Sequence, residues 1–175
     1  MCPAGFLTKR KVKSAERALE DLMRECAKAE KSSGDARRLM SRWGVSNIER
    51  EGIIEQLKAM KFIDHRRYAE AFVRDKINLS RWGTQRIRLE LSRKEIESEI
   101  IDEVLASLNK DIMQERLLSA LEKRMRTTKY KDTYDLKTKL LRYGASLGYD
   151  YTMLSEAIAK IINNNDNDEC EDTFF

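Results

Sequence analysis

Residues 44–57 read Gly44-Val45-Ser46-Asn47-Ile48-Glu49-Arg50-Glu51-Gly52-Ile53-Ile54-Glu55-Gln56-Leu57. A glycine followed by an apolar residue suits the end of a helix, because glycine accepts the left-handed backbone that closes the last turn. Ser46 or Asn47 then starts a new helix, with Ile53, Ile54 and Leu57 on its inner face. These three residues lie 9, 10 and 13 positions after Gly44. The same offsets from Glu95-Ile96 reach Val104, Leu105 and Leu108, and from Gly148-Tyr149 they reach Ala157, Ile158 and Ile161. The shifts of 51 and 53 residues are close to a fixed period, as in a tandem array of supersecondary units. A competing register sets Met40-Ser41-Arg42-Trp43-Gly44 against Leu79-Ser80-Arg81-Trp82-Gly83 at a shift of 39. It has no third copy and reads as a coincidence of two helix ends.

Working outward, helical periodicity covers nearly everything after residue 13. Ser14 caps a first helix with Ala15, Leu19, Leu22 and Cys26 on one face. Ser33-Gly34 break it, and Asp35 caps a short second helix that stops at Gly44. The third buries Ile53, Ile54, Leu57 and Met60. Asp64 caps a fourth, with Tyr68, Ala69, Phe72, Val73 and Ile77 inward, running to Gly83. Thr84, Ser98, Asp111, Asp132, and Asp150 or Thr152 start the remaining five. The expected fold is all-α: nine helices in a tandem repeat of three-helix units, elongated and curved, because each unit is too small to bury its apolar face alone. The units are 14–64, 65–110 and 111–163, between a basic N-terminal arm (1–13) and an acidic disordered tail (164–175). One proline and seven glycines in 175 residues argue against a turn-rich β-architecture.

The chain has 34 Lys and Arg against 30 Asp and Glu, a net charge of +4. That sum conceals an asymmetry: the last 13 residues carry five acids and no base, which leaves +9 on residues 1–162. A basic body points to a polyanionic partner. There is no run of about 18 apolar residues to form a membrane-spanning helix and no secretory-type leader. The three cysteines show no metal-binding or disulfide spacing, which fits a cytoplasmic protein. His65 is the sole histidine. It is expected to be exposed in a first helical turn, with no Ser or Cys placed near it by sequence. No Gly-rich phosphate loop is present, and the carboxylates interleave with bases as on solvated helix faces. No enzymatic activity, catalytic residue, cofactor or metal is expected.

The candidate binding residues are arginines. Arg67, Arg74 and Arg81 recur every seven residues, which puts them on one helical stripe away from Tyr68, Ala69, Phe72 and Val73. Arg86 and Arg93 repeat the spacing on the next helix, beside Arg88, and Arg66 adjoins Arg67. Guanidinium forks suit phosphates and carboxylates. An intrahelical pair such as Glu70–Arg74 is the competing structural use. Trp43 and Trp82, next to glycines at helix ends, read as packing plugs in preference to base-stacking platforms.

The run from Gln56 through Leu57, Lys61-Phe62-Ile63-Asp64-His65 and Tyr68-Ala69 to Arg74-Asp75 resembles the RecX family of recombination regulators. The family hallmark there is Leu-x-x-x-Gly-aromatic-Ile-Asp-Asp, then Phe/Tyr-Ala and an Arg-containing helix. Residues Gly83 to Ile96, with Arg86-Ile87, Glu90-Leu91 and Lys94, are similar to its Gly-x-x-Arg-Ile-x-x-Glu-Leu-x-x-Lys-Gly-Ile signature. The resemblance covers roughly 14–163 and is strongest over 57–105. Lys61 and Glu95 stand where the family has Gly, and His65 where it has the second Asp. These departures bear on local turn geometry. The resemblance implies a tandem three-helix-repeat fold and a monomer that binds the RecA recombinase filament on single-stranded DNA. There it would limit filament growth, ATP hydrolysis and strand exchange, touching DNA weakly or through the filament. Arg66, Arg67, Arg74, Arg81, Arg86, Arg88 and Arg93 would meet acidic filament surface or phosphates. A rival reading is a stand-alone, sequence-nonspecific DNA-binding protein, and another is a helical scaffold that binds a partner helix.

Overall fold

The computed structural model describes the backbone of residues 12–171 and the side chains of residues 12–163. Most of the basic arm (1–11), the last four residues of the acidic tail and the side chains of 164–171 lie outside the described residues. Among the described residues there are nine α-helices and no strand. They are α1 (Ala15–Lys28), α2 (Ser33–Arg42), α3 (Asn47–Ala59), α4 (His65–Ser80), α5 (Thr84–Arg93), α6 (Ser98–Ala106), α7 (Lys110–Thr127), α8 (Thr133–Leu147) and α9 (Tyr151–Glu171). No described helix is long and apolar enough to cross a membrane.

Side-chain caps set most of the starts. Ser14 accepts the Arg17 N–H, Asp64 the Arg67 N–H at 2.9 Å, Asp132 the Asp135 N–H and Asp150 the Met153 N–H. Ser46 and Glu49 form a reciprocal capping box on α3. Two caps fall earlier than expected. Ser32, not Asp35, caps α2, because Asp35 sits in the first turn with its carboxylate engaged by Lys94 and Arg38. Asn109 caps α7 in place of Asp111. The backbone of α9 continues to Glu171, into the segment expected to be disordered, since adding residues to an existing helix costs far less than nucleating one. Met60, expected inside, is 45% exposed, because it is the C-cap of α3 and its side chain has left the buried face.

The three reference turns share one geometry. Gly44, Glu95 and Gly148 have φ of 77°, 62° and 89°, and each is followed by a buried residue: Val45, Ile96 and Tyr149. At the shared offsets, Ile53, Ile54, Leu57, Val104, Ala157, Ile158 and Ile161 are buried, while Leu105 and Leu108 are half-buried. The competing register fails structurally: Trp43 caps the end of α2 whereas Trp82 follows α4, and the left-handed residue is Gly44 in one and Arg81 in the other.

By contacts the described chain forms two compact units. The first holds residues up to Ala71 together with Ser92–Ile100. Its core joins Ala18 and Leu22 of α1, Ala36 and Met40 of α2, and Ile53, Ile54 and Leu57 of α3, with Val45 and Ile63 between helices. The second holds Phe72–Leu91 and everything from Ile101. In it α7, α8 and α9 pack pairwise, burying Leu117, Leu121, Leu140, Leu154 and Ile158.

Each unit contains a backbone joint between a helix start and a later helix end. In the first, the Gly34 N–H near the start of α2 donates to the Lys94 carbonyl just past α5, at 3.3 Å. In the second, the Gly83 N–H just before α5 donates to the Leu147 carbonyl at the end of α8, at 2.8 Å, and the Gln85 N–H donates to Gly148 at 3.1 Å. A Cβ on Gly34 would lie 2.9 Å from the Lys94 oxygen, and one on Gly83 would lie 2.3 Å from the Gly148 oxygen. Glycine is required at both joints because backbone meets backbone there.

Candidate functional site

The seven candidate arginines divide between the units: Arg66, Arg67 and Arg93 in the first, Arg74, Arg81, Arg86 and Arg88 in the second. Arg67 and Arg74 of the stripe are exposed on α4, and so is the adjoining Arg66. Arg81 does not continue the stripe. It lies past the end of α4 at Ser80, with φ 55°, so the helical register that would align it with Arg74 stops one residue short.

Several of these guanidinium groups are engaged within the fold. Arg67 donates to Glu30 at 2.6 Å and to the Lys61 carbonyl. Arg86 donates to the Ser146 carbonyl at 2.9 Å and lies over the Trp82 ring at 4.1 Å. Arg88 is 2.5 Å from Asp102. Arg74, 71% exposed, reaches only its neighbour Asp75 at 3.9 Å, in place of the expected Glu70. Lys76 and Arg86 both lie over the Trp82 ring, which meets Phe72 edge-on, and Trp43 carries Lys13 over its ring at 3.7 Å. Both rings are thus half-buried and engaged by neighbouring side chains.

His65 is not exposed. It is 8% exposed and joins three segments of the first unit. Its Nε2 is 2.8 Å from Ser33 Oγ and 3.3 Å from the Ser33 backbone nitrogen, and its Nδ1 is 2.5 Å from Glu97 Oε2. A backbone N–H can only donate, so Nε2 accepts and the ring proton sits on Nδ1, directed at the carboxylate. The Ser33–His65–Glu97 distances match those of a nucleophile, base and orienting acid. Yet Ser33 is 2% exposed, and Nε2 is shared with a backbone donor, so no substrate carbonyl can approach Oγ. The cluster satisfies buried polar groups. Sequence spacing missed it because Ser33 and Glu97 each lie 32 residues from His65.

A second polar cluster ties α2 to the end of α5 within the same unit. Asp35 accepts from Arg38 and Lys94, both at 2.7 Å. Burial pushes its carboxyl pKa up, but the hydrogen bonds from Lys94 and Arg38 prevail and bring it to about 2. Burial and the neighbouring Asp35 carboxylate push the Tyr68 hydroxyl pKa up. Among the described residues no group of His, Cys, Asp and Glu is arranged to hold a metal. The described surface thus carries exposed arginines on α4, several of them tied into the fold.

Residues 64–105 match the family model described as RecX, second three-helix domain. The chain is 38% identical over 111 residues to the regulatory protein RecX of Clostridium beijerinckii, covering 62% of this chain and 51% of the relative. It is 32% identical over 112 residues to that of Clostridium botulinum (strain Eklund 17B), covering 63% and 52%. The chain thus spans about half the length of the curated relatives it matches. Its fold is that of the crystal structure of RecX from Lactobacillus salivarius, with a TM-score of 0.69 at 19% identity over 83% of this chain and 95% of that one. A second crystal structure, of regulatory protein RecX, matches with a TM-score of 0.76 at 19% identity over 82% and 72%.

Proposed function

On the premise that this chain belongs to the RecX family, we propose that it is a regulator of the RecA recombinase in homologous recombination and DNA repair. In this reading it acts without catalysis, as a cytoplasmic monomer of three three-helix units. It binds the RecA filament on single-stranded DNA and inhibits filament assembly, ATP hydrolysis and strand exchange. The observation that carries the reading is the family match over 64–105, the segment that holds the seven arginines. The exposed arginines of α4 would meet acidic filament surface or DNA phosphates, with little reading of sequence.

The test is RecA-driven ATP hydrolysis on single-stranded DNA with wild-type protein and with Arg66, Arg67 and Arg74 changed together to Glu. Inhibition should fall at least tenfold in potency while the thermal melt shows a folded variant. Undiminished inhibition excludes this face as the contact. A mobility shift on single-stranded DNA with and without RecA separates the rival: tight binding to bare DNA identifies a stand-alone DNA-binding protein.

A further inference from the structure

A further cluster of cations lies outside the seven arginines. Between the end of α7 and the outer side of α8, a surface cavity of about 500 Å³ is lined by Arg124, Lys129, Lys139 and Arg142, with Tyr143 on its wall and no carboxylate in its lining. Lys139 is held by Asp135 at 2.7 Å and by the Lys129 carbonyl at 2.8 Å. Arg124 lies over the Tyr143 ring at 5.3 Å. Neither Arg124, Lys129 nor Arg142 has an ion-pair partner among the described residues.

A helix C-terminus attracts basic side chains for its own stability, which accounts for Arg124 at the end of α7. That explanation does not extend to Lys139 and Arg142, which project from α8 into the same space. The negative end of α7 is also neutralised locally. The Thr127 and Thr128 hydroxyls donate to the Arg124 carbonyl at 3.0 and 2.7 Å, and Lys139 donates to the carbonyl of Lys129. The cavity is left with an uncompensated positive field, an aromatic wall and a volume in the range of small-ligand sites.

We propose that this cavity binds the phosphate of a nucleotide unit, with Arg124, Lys129 and Arg142 around the phosphate oxygens and the sugar and base toward Tyr143. Guanidinium forks and an ammonium acting as a point charge are the donors phosphate recognition uses. Two sources present this chemistry: a phosphodiester of single-stranded nucleic acid and a free nucleotide. The site is independent of the α4 arginines on which the proposed function rests.

The experiment uses the full chain without recombinase. Amide chemical shifts are followed while thymidine 5′-monophosphate or a twelve-residue oligothymidylate is added, and oligothymidylate affinity is measured against salt for wild type and for Lys129→Glu with Arg142→Glu. Shifts concentrated at residues 124–129 and 139–146 are expected. The double variant should bind at least tenfold more weakly, with a salt slope lower by about two, one for each phosphate contact removed. Binding of the oligonucleotide alone assigns the site to a nucleic-acid backbone, and binding of the mononucleotide assigns it to free nucleotides. Absence of shifts in those segments with both probes overturns the proposal, whatever the variant does. Unchanged affinity in a folded double variant overturns it as well. RecA inhibition plays no part in this readout, so the site and the proposed function fail or stand separately.

Discussion

Lys61 holds a left-handed backbone (φ 57°) at the end of α3, and Glu95 does the same (φ 62°) after α5. Both stand where the family pattern has glycine, and the turn geometry persists without it. An L-residue in this conformation costs about 1–2 kcal/mol, part of which glycine would give back through its freer unfolded chain. Lys61 is exposed, and its hydrogen bonds are made by its backbone, the N–H to the Lys58 carbonyl and the carbonyl to Arg67, which glycine keeps, so Lys61→Gly should stabilise the protein by about 1 kcal/mol, a rise in melting temperature of roughly 2–4 °C. A fall in melting temperature would mean that the lysine side chain does more than occupy the turn. Glu95 is a poorer site for the same change, because its carboxylate pairs with Arg37. Asp35 yields a pH signature. Its pKa is depressed from the ordinary 3.8 to about 2 in the folded state, so its contribution is complete above the unfolded pKa near 4 and is lost as pH falls from there toward 2. Urea unfolding should show wild type more stable than Asp35→Asn by about 1–2 kcal/mol at pH 6, a gap that closes as pH falls from 4 to 2. A gap independent of pH would assign Asp35 a purely steric role.

At the scale of elements, the joint between Gly83 and Gly148 is a tight backbone-to-backbone contact of the second unit. A Cβ on Gly83 would sit 2.3 Å from the Gly148 oxygen and 2.6 Å from the Tyr149 nitrogen, both backbone atoms that no rotamer change can move. Gly83→Ala should therefore part the start of α5 from the end of α8 and cost about 3 kcal/mol, read by urea denaturation. Loss of protection at the Gln85 amide in hydrogen exchange would localise the break, because that N–H donates across the joint. A near-neutral Gly83→Ala would show that the joint yields. Helix number, most caps and the reference turns were legible in the sequence, because apolar spacing and Ser, Asp and Gly act within one or two turns. The joints were not, since the carbonyls that Gly34 and Gly83 meet lie some 60 residues onward. His65 was misread for the same reason: its polar partners, Ser33 and Glu97, come from distant segments. Of the candidate arginines, the exposed positions on α4 followed from periodicity. The internal roles of Arg67, Arg86 and Arg88 needed the fold that brings Glu30, Ser146 and Asp102 to them.

For the whole molecule the decisive quantity is the distribution of charge. The net +4 is the sum of five acids in 164–175 and +9 on the rest, and all five acids lie past Ile161, the last buried residue among the described side chains of α9. A chain ending at Asn163 keeps Leu154, Ala157, Ile158 and Ile161, the packing face of α9, and more than doubles the net charge. Charges on the same chain compete with an external polyanion within about a Debye length, roughly 10 Å at 0.1 M salt and 30 Å at 0.01 M. Removing the acidic segment should therefore tighten binding to single-stranded oligothymidylate several-fold at low salt, with the affinities of the two chains converging by about 0.3 M salt. On the proposed function, in which the α4 arginines act by local contact, their charge reversal should weaken filament inhibition even where the field of the whole molecule is screened. Equal affinities of the truncated and full chains at low salt would remove the acidic segment from the electrostatics of binding. A difference that persists at high salt would point to a direct contact made by those twelve residues and not to their field.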